Sequence, residues 1–130
     1  MLAKFVLMLA VFCCSLPLYA QQPKDLVTYK DHVAPILRKH CINCHNPDKA
    51  TSDLNVATYQ TLMTGGASGD TIIPGNPGQS MLFQVVAHLE EPYMPPKSPK
   101  IPDGDLATIK KWIELGAPET SAGAAKGAST

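Results

Sequence analysis

The chain of 130 residues carries equal numbers of basic and acidic side chains, 11 of each, and 45% of its residues are hydrophobic. This balance excludes the basic excess typical of nucleic-acid-binding proteins, so we expect no nucleic-acid partner. The length predicts one small domain with a modest core, in which a tightly bound cofactor could supply part of the buried volume.

Residues 1–20 have the pattern of an export signal: a basic residue near the start, an uncharged apolar run, and Ala20 at the expected cleavage point. Leu18 is larger than the residue preferred three positions before the cut, which leaves an uncleaved membrane anchor as the alternative. Cleavage would remove Cys13 and Cys14. The sequence therefore predicts an exported, periplasmic protein that contacts a membrane only if the signal is retained.

A first helix is predicted to begin at Thr28, whose hydroxyl can cap the first turn, and to run towards Lys39. Apolar residues recur along it at helical spacing and define one buried face. Pro35 lies inside this pattern and is expected to kink or restart the helix. The end of the helix leads directly into Cys41.

The run 41–45 reads Cys-Ile-Asn-Cys-His. Two thiols at this spacing suit thioether bonds to the two vinyl groups of a porphyrin, and the adjacent imidazole suits coordination of its iron. The run predicts one haem c, attached through Cys41 and Cys44, with His45 as an iron ligand. The alternatives are a chance match and a redox Cys-x-x-Cys pair. With the signal removed, no further cysteine pair remains for a structural disulfide.

A polar stretch containing Pro47 predicts a loop, followed by a short helix or turn within residues 54–63. Gly65, Gly66 and Gly69 come next. Glycines permit close backbone approach, so two interpretations stay open: this loop lies against the haem edge, or it is an ordinary exposed loop.

Asn76 and Pro77 predict the start of a second amphipathic helix, with Asn76 as the cap and Gln79 reaching back to it. Helical spacing predicts that its buried face consists of Leu82, Val85, Val86 and Leu89.

The following segment, residues 90–96, reads Glu-Glu-Pro-Tyr-Met-Pro-Pro. Its prolines exclude the interior of a helix or sheet and hold the backbone extended around Met94. A thioether displayed on such a stiff loop is suited to the second axial position of a haem iron, so Met94 is the predicted distal ligand. The rival ligands are Met63, Met81, His32, His40 and His88.

A last helix is predicted over residues 102–115 and is expected to end at Gly116. Trp112 lies on its apolar face and is expected to pack against the first helix. After Pro118, the segment 119–130 consists mainly of Ala, Gly, Ser and Thr. We expect this tail to be disordered.

Taken in order, these residues resemble the planctomycete-type cytochrome c domain, a branch of the small helical c-type cytochromes. The resemblance covers roughly residues 33–118. It implies an all-α fold wrapped around one haem, a cytochrome c domain over residues 21–118, and His45 and Met94 as the axial ligands. The similarity rests on Val33-x-Pro35-Ile36-Leu37, Cys41-x-x-Cys44-His45, Gly65-Gly66, Pro74-Gly75-Asn76-Pro77, Ser80-Met81-Leu82, Met94-Pro95-Pro96 and Trp112-Ile113-x-x-Gly116-Ala117.

The expected function is one-electron transfer between redox partner proteins, with no substrate bond made or broken. In two alternatives Met94 is displaceable, and the protein is a small-ligand sensor or a peroxidase-like enzyme. A third, structural alternative is a zinc site, whose ligands would be Cys41, Cys44 and His45, with His88 as a further candidate. The candidates to neutralise haem propionates or to contact an acidic partner are Arg38, Lys39 and Lys97.

Overall fold

The computed structural model describes residues 25–127, so the predicted signal with Cys13 and Cys14 lies outside the described residues. Within this range the regular structure is helical, which confirms the all-α prediction, and an isolated bridge between Gly66 and Gly69 is the only β pairing. None of the helices within residues 25–127 has the length and apolar character needed to cross a bilayer. The elements are a π-helical turn Tyr29–Val33 continuing into α1 (Ala34–His40), a 3₁₀ turn Thr51–Asp53, α2 (Tyr59–Thr64), a 3₁₀ turn Pro77–Gln79, α3 (Met81–Val86), α4 (Asp103–Glu114) and α5 (Ser121–Gly127).

The first helix begins and restarts where the sequence predicts. The Thr28 hydroxyl accepts a hydrogen bond from the backbone N–H of Asp31 at 3.2 Å and so caps the π-helical turn. Pro35 lies in the first turn of α1, directly after the π-helical turn. The proline therefore marks the change from a π-helical turn to a regular α-helix.

The two ends of the domain pack against each other. The backbone N–H of Tyr29 donates to the Pro118 carbonyl at 2.9 Å, and the indole Nε1 of Trp112 donates to the same oxygen at 3.0 Å. Trp112 has no exposed surface, and its ring centre lies 6.2 Å from that of Tyr29. The predicted packing of Trp112 against the start of the first helix is confirmed. Other core residues with almost no exposed surface include Val33, Leu37, Leu62, Ile109 and Ile113.

The predicted cap of the second helix is wrong. The Asn76 side chain makes no capping hydrogen bond, and Pro77–Gln79 is a separate 3₁₀ turn. Ser80 interrupts the helix because its backbone is extended and its buried hydroxyl accepts from the Ile73 N–H at 2.9 Å. The helix α3 then ends at Val86, which leaves Leu89 65% exposed instead of on the buried face.

The last helix ends as expected, whereas the tail differs from its prediction. Gly116 follows α4 with a φ of +87°, the left-handed conformation that glycine adopts most readily. Beyond it, Ser121–Gly127 is helical, although the sequence predicted disorder over residues 119–130. Alanine favours the helix, and the Thr120 hydroxyl accepts from the Gly123 N–H at 3.3 Å, as a helix cap does.

Two tyrosines join the first helix to the middle of the chain. Their rings meet edge to face, with centres 5.5 Å apart. The Tyr29 hydroxyl donates to the Val56 carbonyl at 3.3 Å, and the Tyr59 hydroxyl donates to the Ala117 carbonyl at 3.0 Å. Burial is the main cause that raises the pKa of both phenols above the ordinary value of 10.0.

We therefore expect the stability of the fold to fall as the pH rises above 10.0. Above that pH the unfolded chain loses the phenol protons while the folded chain retains them, so deprotonation favours unfolding. Urea unfolding of the wild type and of a Tyr29→Phe/Tyr59→Phe double variant between about pH 9 and pH 11 tests this linkage. The double variant should lose stability less steeply, and parallel curves would contradict the assignment.

Candidate functional site

A cavity of about 180 Å³ lies among the predicted functional residues. Cys41, Cys44 and His45, which follow α1, contribute to its lining, and so does Met94 from the proline-rich loop. The structure thus brings the Cys-x-x-Cys-His run and the distant Met94 to one site. Its apolar wall comes from α3, through Leu82, Val85 and Val86.

The Cys-x-x-Cys-His run is held by backbone hydrogen bonds on both sides. The Cys41 N–H donates to the Leu37 carbonyl at 2.8 Å and so continues α1, while the His45 N–H donates to the Cys41 carbonyl at 3.1 Å. Further along, the Val56 N–H donates to the His45 carbonyl at 2.9 Å. These bonds fix the backbone from which all three side chains of the motif project.

The two thiols have different surroundings. Cys44 is exposed, whereas Cys41 is partly buried. Burial, together with the neighbouring Cys44, raises the pKa of the Cys41 thiol to about 11. Because the thiolate is the nucleophilic form of cysteine, the folded chain holds Cys41 mainly in its less reactive state.

His45 differs from the other three histidines in its hydrogen bonding. Its buried Nδ1 has no hydrogen-bond partner, an expensive arrangement unless the ring takes part in another interaction. The ring is therefore free to serve as a metal ligand. The Cys41 and Cys44 thiols that line the same cavity fit covalent attachment of a haem. The other rings are engaged elsewhere: His32 Nδ1 accepts from the Thr28 N–H at 3.1 Å, His40 Nε2 lies 2.9 Å from Asp105, and His88 Nε2 donates to the Met94 carbonyl at 3.2 Å.

The described residues contain no group of three or more His, Cys, Asp or Glu side chains arranged to hold a metal ion. The zinc alternative drew on the Cys-x-x-Cys-His run, with His88 as a further candidate ligand. His88 does not line the cavity, so the structure does not support it as that further ligand.

Two methionines line the cavity, Met81 and Met94, while Met63 packs against the hydrophobic core. Met81 begins α3 and is 41% exposed. Met94 is partly buried, and its backbone N–H donates to the Val85 carbonyl at 3.0 Å. The Met94 carbonyl is also bonded by His88, so both backbone polar groups of Met94 have hydrogen-bond partners.

The glycine-rich loop borders the cavity, as the first interpretation of its sequence expects, and residues 67–69 are also exposed. Residues 66–69 all contribute to the lining. The Ala67 N–H donates to the Ser52 carbonyl at 2.8 Å, and a Cβ atom on Gly66 would lie 2.7 Å from that same oxygen. Gly66 therefore permits a close backbone approach that a larger residue would obstruct.

The basic residues suggested by the sequence lie outside the cavity lining. Within the described chain, no Lys or Arg contributes to that lining. Arg38 donates to the Ala34 carbonyl of its own helix at 3.3 Å, and the Lys39 ammonium lies 3.8 Å from Asp105. Sequence reasoning missed that His40 lines the cavity while contacting Asp105, because only the fold brings α4 beside the end of α1.

Residues 41–98 match the family described as Planctomycete cytochrome C. The matched segment includes all four predicted site residues and is shorter than the range of the resemblance, since it contains neither α1 nor α4. No curated protein and no solved structure matches the sequence.

Replacing Gly66 by Ala should destabilise the fold by about 1–3 kcal/mol, because the new methyl group would be forced against the Ser52 carbonyl. The control is Gly78→Ala, where the nearest atom would lie at an ordinary contact distance of 3.6 Å and no left-handed conformation is required. Urea unfolding of both variants measures the difference. Equal stabilities would show that the close approach at Gly66 is unimportant.

Proposed function

We propose that this chain, whose residues 41–98 form a planctomycete cytochrome c domain, is an exported mono-haem cytochrome that carries single electrons between redox partner proteins. A domain of this family implies covalently bound haem c and electron transfer, and its members are typically carriers rather than enzymes. The observation that carries the detailed proposal is the convergence of Cys41, Cys44, His45 and Met94 on one cavity.

In this proposal each of the four residues has a separate role. Cys41 and Cys44 tether the haem through thioether bonds, and His45 and Met94 are its axial ligands. When bound, the haem iron supplies a one-electron redox couple. A thioether from Met94 favours the ferrous state relative to a second nitrogen ligand and so raises the reduction potential.

The protein around the site limits access of water and leaves one side open to a partner. Leu82, Val85 and Val86 are buried and form an apolar wall, which lowers the polarity around the iron ligands. Cys44 and Pro96 also line the cavity but are exposed. An electron could therefore pass at the protein surface without a change in the ligands.

Export follows from the signal-like residues 1–20 and agrees with the chemistry of the site. Cleavage after Ala20 would leave Cys41 and Cys44 as the only thiols of the mature chain. Two free thiols in an oxidising compartment would otherwise be prone to form a disulfide. Thioether bonds to haem would protect both of them permanently.

Denaturing mass spectrometry of the exported protein should give the mass of a chain beginning at Gln21 plus that of one haem. Cys41→Ala and Cys44→Ala should each leave one thioether bond, and the double variant should lose covalent haem. A Cys13→Ala/Cys14→Ala variant is the control and should retain it. A mature chain with a disulfide or zinc in place of haem would refute the proposal.

Replacing Met94 by Ala should abolish the weak near-infrared band that arises from sulfur bound to ferric haem iron. It should also lower the reduction potential and open the iron to added imidazole, while covalent attachment persists. Met81→Ala is the matched control, because this methionine lines the same cavity and should leave the band intact. A band that survives in Met94→Ala would show that another sulfur binds the iron, and a wild type that lacks the band would favour the sensor or peroxidase alternative.

A further inference from the structure

We infer that His88 is a positioning residue that keeps the backbone of Met94 in place beside the cavity. The inference rests on the proposed role of Met94 as an iron ligand and adds a residue that does not itself line the cavity. It is carried by the contacts of the His88 ring and by the backbone conformation at His88.

The His88 ring contacts the proline-rich loop in two ways. Its Nε2 donates a hydrogen bond to the Met94 carbonyl at 3.2 Å, and its face stacks on Tyr93, with ring centres 4.9 Å apart and planes inclined by 13°. On its other side, the Met94 N–H donates to the Val85 carbonyl at 3.0 Å. Both backbone polar groups of Met94 are thus bonded to the end of α3 or the turn that follows it.

The backbone at His88 supports a role for the side chain. Its φ is +57°, a left-handed conformation that usually contains glycine or asparagine when it follows a helix. The turn is closed by backbone bonds alone: the N–H of His88 donates to Val85 at 3.3 Å, and that of Leu89 donates to Gln84 at 2.9 Å. Since the turn needs no imidazole, the ring is explained by what it contacts, namely Tyr93 and Met94.

This arrangement predicts an effect on ligand exchange. An incoming imidazole can bind the iron only when the Met94 sulfur leaves, and the sulfur leaves more readily if its backbone can move. Losing one hydrogen bond with a net contribution on the order of 1 kcal/mol should raise the equilibrium constant for this exchange by about three- to tenfold. His88 would therefore set how firmly Met94 resists displacement.

The test compares His88→Asn with His88→Gln in the haem-loaded protein. Asparagine tolerates the left-handed backbone better than glutamine, but its amide is one methylene too short to occupy the position of Nε2. Glutamine reaches that position. We expect His88→Asn to bind added imidazole about three- to tenfold more tightly than the wild type, and His88→Gln to remain within about twofold of it.

A role confined to the turn predicts the opposite order, because the backbone preference favours asparagine. An imidazole affinity of His88→Asn equal to that of the wild type, or a larger rise in His88→Gln than in His88→Asn, would overturn the inference. Tyr93→Leu provides a second test if a His88 variant fails to fold: it removes the stacked ring and should also raise imidazole affinity, whereas Tyr93→Phe should not. Unchanged affinity in Tyr93→Leu would then overturn the inference.

The Met94→Ala variant separates failure of this inference from failure of the proposed function. If that variant keeps the sulfur band, Met94 is not the ligand and the proposed function fails. If it loses the band while His88→Asn behaves as the wild type, the ligand assignment holds and the positioning role of His88 alone is wrong.

Discussion

The contact between the two ends of the domain is the constraint on which the rest of the structure depends. Tyr29 and Lys30 donate backbone hydrogen bonds to Pro118 and Glu119 at 2.9 and 3.1 Å, and Trp112 packs into the same junction without exposed surface. These contacts close a long loop, whose entropic cost must be met by the burial that accompanies closure. The segment matched to the cytochrome family lies within this loop and is held at both ends by helices outside it.

Inside this loop, the short helices contribute little stability by themselves. The helices α2 and α3 have six residues each, which is too short for stability in isolation. Their positions depend on local bonds, such as the Thr58 capping box and the close approach of Gly66 to Ser52, and on the apolar residues they bury. A haem in the cavity would give α3 an apolar surface to pack against. With the ligands proposed above, it would also join the start of the matched segment to its end through Cys41 and Met94.

The sequence predicts best those features that depend on near neighbours. The Thr28 cap, the restart at Pro35 and the end of α4 at Gly116 follow from local stereochemistry, and the structure confirms all three. The grouping of the four site residues was also predictable, since their side-chain chemistry suits one cofactor. Asn76 failed as a cap: Pro77–Gln79 is a separate 3₁₀ turn, and α3 begins only after Ser80, whose hydroxyl bonds Ile73 and does not cap the helix. The contacts of His40 with Asp105 and of His88 with Met94 depend on the final path of the chain, which no local pattern specifies.

The different surroundings of the two cysteines bear on the order in which the protein matures. In the folded chain, burial raises the pKa of the Cys41 thiol to about 11, so its nucleophilic thiolate form is scarcer at neutral pH than in an open chain. A thioether bond between Cys41 and haem therefore forms more easily in a chain that has not yet packed. Residues 41–45 are synthesised before α4, whose Trp112 completes the junction that closes the loop. Attachment of the cofactor to an open chain would accordingly come before the packing that buries Cys41.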